Sequence, residues 1–205
     1  MVTIDQIKQL REETGVSITE CKKALEEAQG DVQKAKDVLR AKGKSIAQKK
    51  GSRAANAGII TSYVHPGSQV GVLLDLRCET DFVALSEDFV KLGHELCLQI
   101  AASSPMYASE AEIPEDILNR EKEIALEQVK GSNKPENIVK NIIEGKLNKY
   151  KAENSLLSQP WVKDPSKTVQ DLVNEYVAKL GENIVPKKFV RYELSASSSP
   201  NSSCS

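Results

Sequence analysis

The sequence lacks the features that mark membrane-spanning or exported proteins. No apolar run approaches the roughly 20 residues that cross a bilayer. The N-terminus, Met1–Asp5, has no basic segment followed by an apolar core, so no secretory signal is present. The net charge is −1, which predicts no general attraction to nucleic acid or to anionic membranes. With 40% apolar and 28% charged residues, the composition is that of a soluble globular protein, and we expect it in the cytoplasm.

The cysteines are too few and too far apart for a metal or disulfide framework. No two of them lie within two to four residues of each other, the spacing of zinc ligand pairs. A disulfide framework is not expected in a chain without an export signal. We expect free thiols, the first three largely buried and the last exposed in a polar tail: Cys21, Cys78, Cys97 and Cys204.

Motifs for catalysis and for cofactor binding are also missing. No glycine-rich phosphate loop is present, and neither of the two histidines, His65 and His94, has a nucleophile motif beside it. Glu79 and Asp81 have the chemistry of a general acid and base, but the sequence around them shows no pocket of supporting groups. The sequence therefore favours a binding protein rather than an enzyme, and it predicts no cofactor and no metal site.

Residues 1–42 have the pattern of three short helices. Thr3 is positioned to cap the first, Ser17 the second and Asp31 the third, and Gly43 suits the end of the third. Helices this short bury little surface, so we interpret this segment as a small N-terminal module.

Residues 43–56 are predicted to be a basic linker. The segment around it contains glycine and serine and no acid, which is typical of a solvated connection; nucleic-acid binding through these cations is the alternative, although no interleaved aromatic residue is available to stack on a base. The basic residues in question are Lys42, Lys44, Lys49, Lys50 and Arg53.

Residues 57–194 read as an α+β core domain with a small, mainly antiparallel sheet packed by helices. A hairpin is predicted first, a returning strand last, and helices between them. The serine-rich residues 195–205 should be a disordered tail. The predicted strands are Ile59–Val64, Val70–Arg77 and Lys187–Leu194. The predicted helices are one with Phe89, Leu92, Leu96 and Ile100 on one face, Glu115–Lys130 ended by Gly131, Pro135–Tyr150, and Thr168–Leu180. Residues 153–165 are predicted to be a loop.

The most informative segment is the strand-to-helix corner Cys78–Ala84, with the sequence Cys-Glu-Thr-Asp-Phe-Val-Ala. Corners lie at the surface, where flanking elements hold functional side chains rigidly. Its Phe82 has two interpretations: a plug that closes the end of the hairpin core, or an outward-facing ring that meets a partner.

This corner resembles the signature of the translation elongation factor Ts family of bacteria and organelles. Three further motifs occur in the same order as in that family, and the resemblance covers roughly residues 2–194. The motifs are Leu10–Gly15 with Cys21–Leu25 and Gly30-Asp31, Gly145–Tyr150 with Leu156–Pro160, and Phe189–Leu194.

The resemblance implies a function and a set of contact residues. Members of the family bind the GTPase elongation factor Tu and promote GDP release so that GTP can load, and their N-terminal module has a three-helix, ubiquitin-associated-like fold. At matching positions, dislodging Mg²⁺ from the GTPase falls to Thr80, Asp81, Phe82 and Val83. The module, on a flexible linker, is expected to bind the GTPase through Arg11, Ile18 and Thr19. Two alternatives remain: Ile18 is a core residue of the module, or the module binds ubiquitin-like proteins, as other modules of this fold do.

The sequence departs from the family pattern at two of these places. Many members have two bulky apolar residues where this chain has Ile18-Thr19, and a basic residue where it has Leu85. The chain is also short, and similar single-core members pair as homodimers. The resemblance therefore implies a homodimer as well as a GTPase partner.

Overall fold

A computed structural model describes residues 2–130 and 135–194, and its first three helices form the N-terminal module. Thr3 caps the first helix in a reciprocal capping box with Gln6, and Gly15 ends it with a left-handed φ of 66°. The Ser17 hydroxyl accepts a hydrogen bond from the Glu20 N–H, as its predicted capping role requires. The helices are α1 (Ile4–Thr14), α2 (Ile18–Glu27) and α3 (Val32–Lys50), and their shared core contains Leu10, Cys21, Ala24, Leu25 and Ala35.

The predicted end of the third helix at Gly43 is wrong, because α3 continues to Lys50. Gly43 is buried where α3 packs along a core helix, and a Cβ built on it would lie 3.6 Å from the Asn174 carbonyl oxygen. This packing outweighs the weak helix propensity of glycine. The first eight residues of the predicted linker 43–56 are therefore helical, and the module is docked rather than held on a flexible tether.

The core domain is the predicted α+β arrangement. Its main sheet has three antiparallel strands in the order first, second, last, and the hairpin turn is closed where the His65 N–H donates to the Val70 carbonyl at 2.8 Å. In chain order the remaining elements are β1 (Ala57–Val64), β2 (Val70–Cys78), α4 (Asp81–Ala84), α5 (Glu87–Ser103), α6 (Glu115–Val129), α7 (Glu136–Asn154), β3 (Pro160–Trp161), β4 (Asp164–Thr168), α8 (Val169–Leu180) and β5 (Val185–Glu193).

Alternation along the strands gives the sheet one core face and one outer face. Helix α5 packs on the core face and α8 packs against α5, and the predicted α5 stripe is fully buried in the core that they share. The residues of this core include Leu74, Leu76, Phe89, Leu92, Leu96, Ile100, Val169 and Val173.

The prediction of a loop over 153–165 is wrong in part. The helix α7 extends to Asn154, a single 3-10 turn follows, and β3 pairs with β4. The buried Gln99 explains the order of this segment, because its amide donates to the Pro160 carbonyl at 3.2 Å and accepts from the Val162 N–H at 2.9 Å.

The three cysteines within the described residues are free and buried, as predicted. Burial raises the pKa of the Cys97 thiol to about 11, which keeps it protonated. The expectations for Gly131, for Cys204 and for a disordered tail over 195–205 concern residues outside the described ranges.

Candidate functional site

The corner predicted from the sequence is a short helical turn at the end of a buried strand. Strand β2 ends at Cys78, and Thr80 caps α4 by accepting the Val83 N–H at 3.4 Å. A second cap follows, in which the Ser86 hydroxyl accepts the Phe89 N–H at 3.3 Å and starts α5. Two capped helix starts within seven residues give the segment a defined conformation.

The ring of Phe82 faces solvent at this corner and is 84% exposed. The buried position of the short helix is taken by Ala84, and the aromatic residue that closes the core is Phe89, which is fully buried. The interpretation of Phe82 as a core plug is therefore wrong. Leu85, three residues further on, is also largely exposed, and exposed apolar side chains that lie together are typical of an interaction site.

The other predicted corner residues differ in their exposure. Thr80 and Asp81 are exposed beside Phe82, whereas Val83 is half-buried and packs against the domain core. The corner therefore exposes three of the four predicted contact side chains, and the fourth, Val83, holds the turn against the domain core.

Two residues that sequence reasoning missed hold the corner from the other end of the domain. The carboxylate of Glu182 accepts hydrogen bonds from the N–H groups of Glu79 and Thr80, and the carboxylate of Glu79 accepts the Asn183 N–H at 2.7 Å. Gly181 was identifiable as the end of α8. No local sequence signal indicates that the next two residues, Glu182 and Asn183, pair with the corner a hundred residues earlier.

These contacts also set the electrostatics of the corner. The hydrogen bond from the Asn183 N–H, with a smaller contribution from Arg53, lowers the pKa of Glu79. Burial, together with the nearby charge of Glu182, raises the pKa of the Cys78 thiol. Glu79 is thus engaged inside the fold while Asp81 is free at the surface, so the two acids do not form a catalytic pair.

A metal site is not apparent at the corner. Within 2–130 and 135–194, no three acidic, histidine or cysteine side chains are grouped as metal ligands. In the same part of the chain, no helix combines the length and apolar character needed to cross a membrane.

The three residues predicted for the N-terminal contact lie around the turn between α1 and α2. Arg11 is in the last turn of α1, and Ile18 and Thr19 begin α2; all three are exposed. Ile18 is 55% exposed and lies outside the module core, so its interpretation as a core residue is wrong.

The module is joined to the core domain by the packing of α3 along α8 and by one buried carboxylate within that contact. Asp171 of α8 pairs with Arg40 and Lys44 of α3, the latter at 3.0 Å. Burial alone would raise the pKa of Asp171, but the hydrogen bonds from Arg40 and Lys44 outweigh it and hold the pKa well below its usual range. The position of the module relative to the corner is therefore fixed by the fold.

Most of the basic residues of 42–53 have acceptors within the chain, which leaves little of their charge for nucleic acid. Four of the five are engaged: Lys42 with Glu27, Lys44 with Asp171, Lys50 with the Gly181 carbonyl and Arg53 with Glu79. The alternative of an RNA-binding segment finds no support in this arrangement.

Comparison with known proteins matches nearly the whole chain. The model of the family described as "Elongation factor TS" matches residues 5–196. Proteins named "Elongation factor Ts" are similar over the same length: that of Caldanaerobacter subterraneus subsp. tengcongensis is 48% identical over 94% of this chain and 96% of its own. Those of Moorella thermoacetica and Thermodesulfovibrio yellowstonii are 49% and 50% identical, covering 95% and 94% of this chain and 96% of each relative.

Proposed function

The chain belongs to the elongation factor Ts family, and we propose that it binds GDP-loaded elongation factor Tu, dislodges Mg²⁺ and promotes GDP release so that GTP can load during translation elongation. It acts by binding, in the cytoplasm, and is not an enzyme in the usual sense. The observation that carries the proposal is the exposed ring of Phe82 on a doubly capped corner. Thr80 and Asp81 flank the ring and complete the contact surface.

The free energies involved require more than this one ring. Burying a phenylalanine side chain contributes about 1.5–3 kcal/mol. Shifting a GTPase from mostly loaded to mostly empty needs a preference of about 5.5 kcal/mol for the empty state. The remainder has to come from other contacts that favour the same state.

The N-terminal module is suited to supply those contacts. Arg11, Ile18 and Thr19 are exposed together around the α1–α2 turn, and α3 is tied to α8 through Asp171. Because the module is docked, its binding pays little additional orientational entropy once the corner has engaged. We therefore propose that the module sets affinity, while Phe82 acts as the wedge.

Loss of Mg²⁺ follows from displacement of the ligands that the GTPase itself provides. Asp81 is a single exposed carboxylate, and one carboxylate makes a poor magnesium site. Coupling is reciprocal, so a factor that weakens Mg²⁺ and GDP binding is itself bound more weakly by the loaded GTPase.

The outer face of the sheet supports a homodimer. Its exposed apolar side chains lie on three adjacent strands in register, with Ser62, Leu73 and Val190 directly opposite one another. A second copy of the same face is the occupant that matches it, since a two-fold interface joins identical patches. The outer-face patch consists of Ile60, Val64, Leu73, Val190 and Tyr192.

A GDP-release assay tests the proposed function directly. Elongation factor Tu is loaded with a fluorescent GDP analogue, mixed with excess unlabelled GTP and increasing concentrations of this chain, and the release rate is followed. We expect the rate to rise and saturate with concentration. A rate that stays at the spontaneous value at every concentration would overturn the proposal, and a steep salt dependence of RNA binding would instead support the nucleic-acid alternative.

A further inference from the structure

The side chain of Glu182 organises the backbone immediately before Phe82. One carboxylate oxygen accepts the Glu79 N–H at 3.1 Å and the Thr80 N–H at 3.0 Å, and the other accepts the Thr80 hydroxyl proton at 2.6 Å. All three donors belong to the two residues that connect β2 to α4. A single carboxylate thus fixes the direction in which the chain leaves the sheet.

The hydroxyl of Thr80 links this contact to the helix that carries the ring. A threonine hydroxyl has one proton to donate and two lone pairs to accept with. Because Glu182 takes the proton, a lone pair of Thr80 is oriented to cap the Val83 N–H at 3.4 Å. The start of α4, and with it the direction of Phe82, depends on this relay.

The anchorage also runs in the opposite direction. Glu79 accepts the Asn183 N–H at 2.7 Å, and the Asn183 side-chain amide donates to the Arg53 carbonyl at 2.8 Å. Residues 79–80 and 182–183 therefore exchange carboxylate-to-backbone hydrogen bonds, and the exchange reaches the segment that follows α3. Glu182 lies directly after Gly181, whose left-handed φ of 77° ends α8 and turns the chain toward the corner.

We propose that Glu182 is a positioning residue for nucleotide exchange: it holds the Glu79–Thr80 backbone so that Phe82 is presented to the GTPase in its working orientation. This rests on the proposed function of the corner. Glu182 does not touch the nucleotide or Mg²⁺ in this role. It removes conformational freedom that the corner would otherwise lose on binding.

The test compares Glu182→Ala with a matched control, Glu175→Ala, in the GDP-release assay. Glu175 is also on the α8 side of the core, but its carboxylate pairs with Lys167 rather than with the corner. For Glu182→Ala we expect the maximal release rate at saturating concentration to fall about tenfold, as for the loss of a charged hydrogen-bonding group, while the half-saturating concentration changes less. The control should release GDP at the wild-type rate.

A double variant separates positioning from general destabilisation. If Glu182 acts through the ring, adding Glu182→Ala to Phe82→Ala should cause no further loss of rate, because there is no ring left to position. A full additional loss in the double variant, or a wild-type maximal rate for Glu182→Ala alone, would overturn the proposal.

A conservative variant keeps the test decisive if Glu182→Ala fails to fold. Glu182→Gln retains the shape and one accepting oxygen, so it should fold and release GDP faster than the alanine variant. If its release rate equals that of wild type, and Phe82→Ala lowers the rate as much in this variant as in wild type, the second oxygen and the Thr80 relay have no role. If the wild-type chain accelerates GDP release and the Glu182 variants release GDP at the wild-type rate, this inference alone is refuted. Wild-type chain that fails to accelerate release would refute the proposed function itself.

Discussion

Arg40 of α3 and Asp171 of α8 form an ion pair in which the side chain of Asp171 is only 5% exposed. Lys44 adds a second cation at 3.0 Å, and the same carboxylate accepts the Thr168 N–H at 3.2 Å within the capping box of α8. This one carboxylate therefore both starts a core helix and fixes the N-terminal module against it. Together with the packing of α3 along α8, it keeps the two proposed contact surfaces, on α1–α2 and at the corner, at a defined separation.

Replacing Asp171 with asparagine should lower the free energy of unfolding by about 2 kcal/mol at pH 7, since it removes a buried charge that two cations and a backbone N–H satisfy. The pKa of Asp171 is lowered in the folded chain, so its contribution is present above the unfolded pKa of about 3.9 and is lost as pH falls toward the folded value. The difference between wild type and Asp171→Asn should therefore shrink below about pH 4. Urea unfolding at pH 7 and at pH 3 measures it.

A matched control for that experiment is Glu136→Gln, which breaks the exposed pair with Lys140. Exposed pairs contribute little, and no comparable change is expected. Equal unfolding free energies for wild type and Asp171→Asn at pH 7 would show that the carboxylate does not join the module to the core.

Phe82→Ala should leave the fold intact and reduce the maximal GDP-release rate by roughly tenfold to a hundredfold, the equivalent of burying one ring. The ring is exposed and contributes nothing to the core. Circular dichroism and thermal melting check the fold, and the release assay checks the rate.

Phe89→Ala is the contrasting variant seven residues away. Its ring is fully buried, and its removal should cost about 3–5 kcal/mol of stability. A Phe82→Ala variant that unfolds like Phe89→Ala, or that exchanges at the wild-type rate, would be incompatible with the wedge.

Ile18→Ala should raise the half-saturating concentration of the factor about fivefold while the maximal release rate is kept, because a half-exposed side chain loses on the order of 1 kcal/mol of burial with the partner. A point change is preferable to deleting the module, since α3 runs without a break from the module into its contact with α8. Titration of the release rate against factor concentration separates the two parameters. An Ile138→Ala control on α7 should change neither, and an unchanged half-saturating concentration for Ile18→Ala would remove this residue from the interface.

Hydrophobic periodicity predicted the burial of only one of the two phenylalanines in this region. Phe89 belongs to a stripe at helical spacing and is buried as that pattern predicts. Phe82 belongs to no stripe, so the pattern left its orientation open and only the fold could resolve it. Strands and helix starts were predictable for the same reason, because alternation and capping residues are local.

Non-local contacts explain what the sequence could not predict. Gly43 has the local signal of a helix end, yet packing against α8 carries the helix onward. Glu182 and Asn183 reach the corner across a hundred residues of chain, and no spacing rule connects them to it. Both failures occur where the module and the corner are tied to the core, which is where tertiary contacts outweigh local preference.

We expect the wild-type chain to form the proposed homodimer, with twice the 22.5 kDa chain mass, and Leu73→Asp to be a monomer. Leu73 is exposed at the centre of the outer-face patch, between Ser62 and Val190 of the neighbouring strands, so the substitution should not disturb the core. In a two-fold interface every substitution occurs twice, and each copy would bury a charge against an apolar face, at a cost of several kcal/mol per ion. Ile124→Asp places the same charge on an exposed position of α6 and should leave the dimer intact. Light scattering coupled to size-exclusion chromatography distinguishes the outcomes, and a wild-type monomer, or a Leu73→Asp dimer as stable as wild type, would show that the outer face of the sheet does not pair two chains.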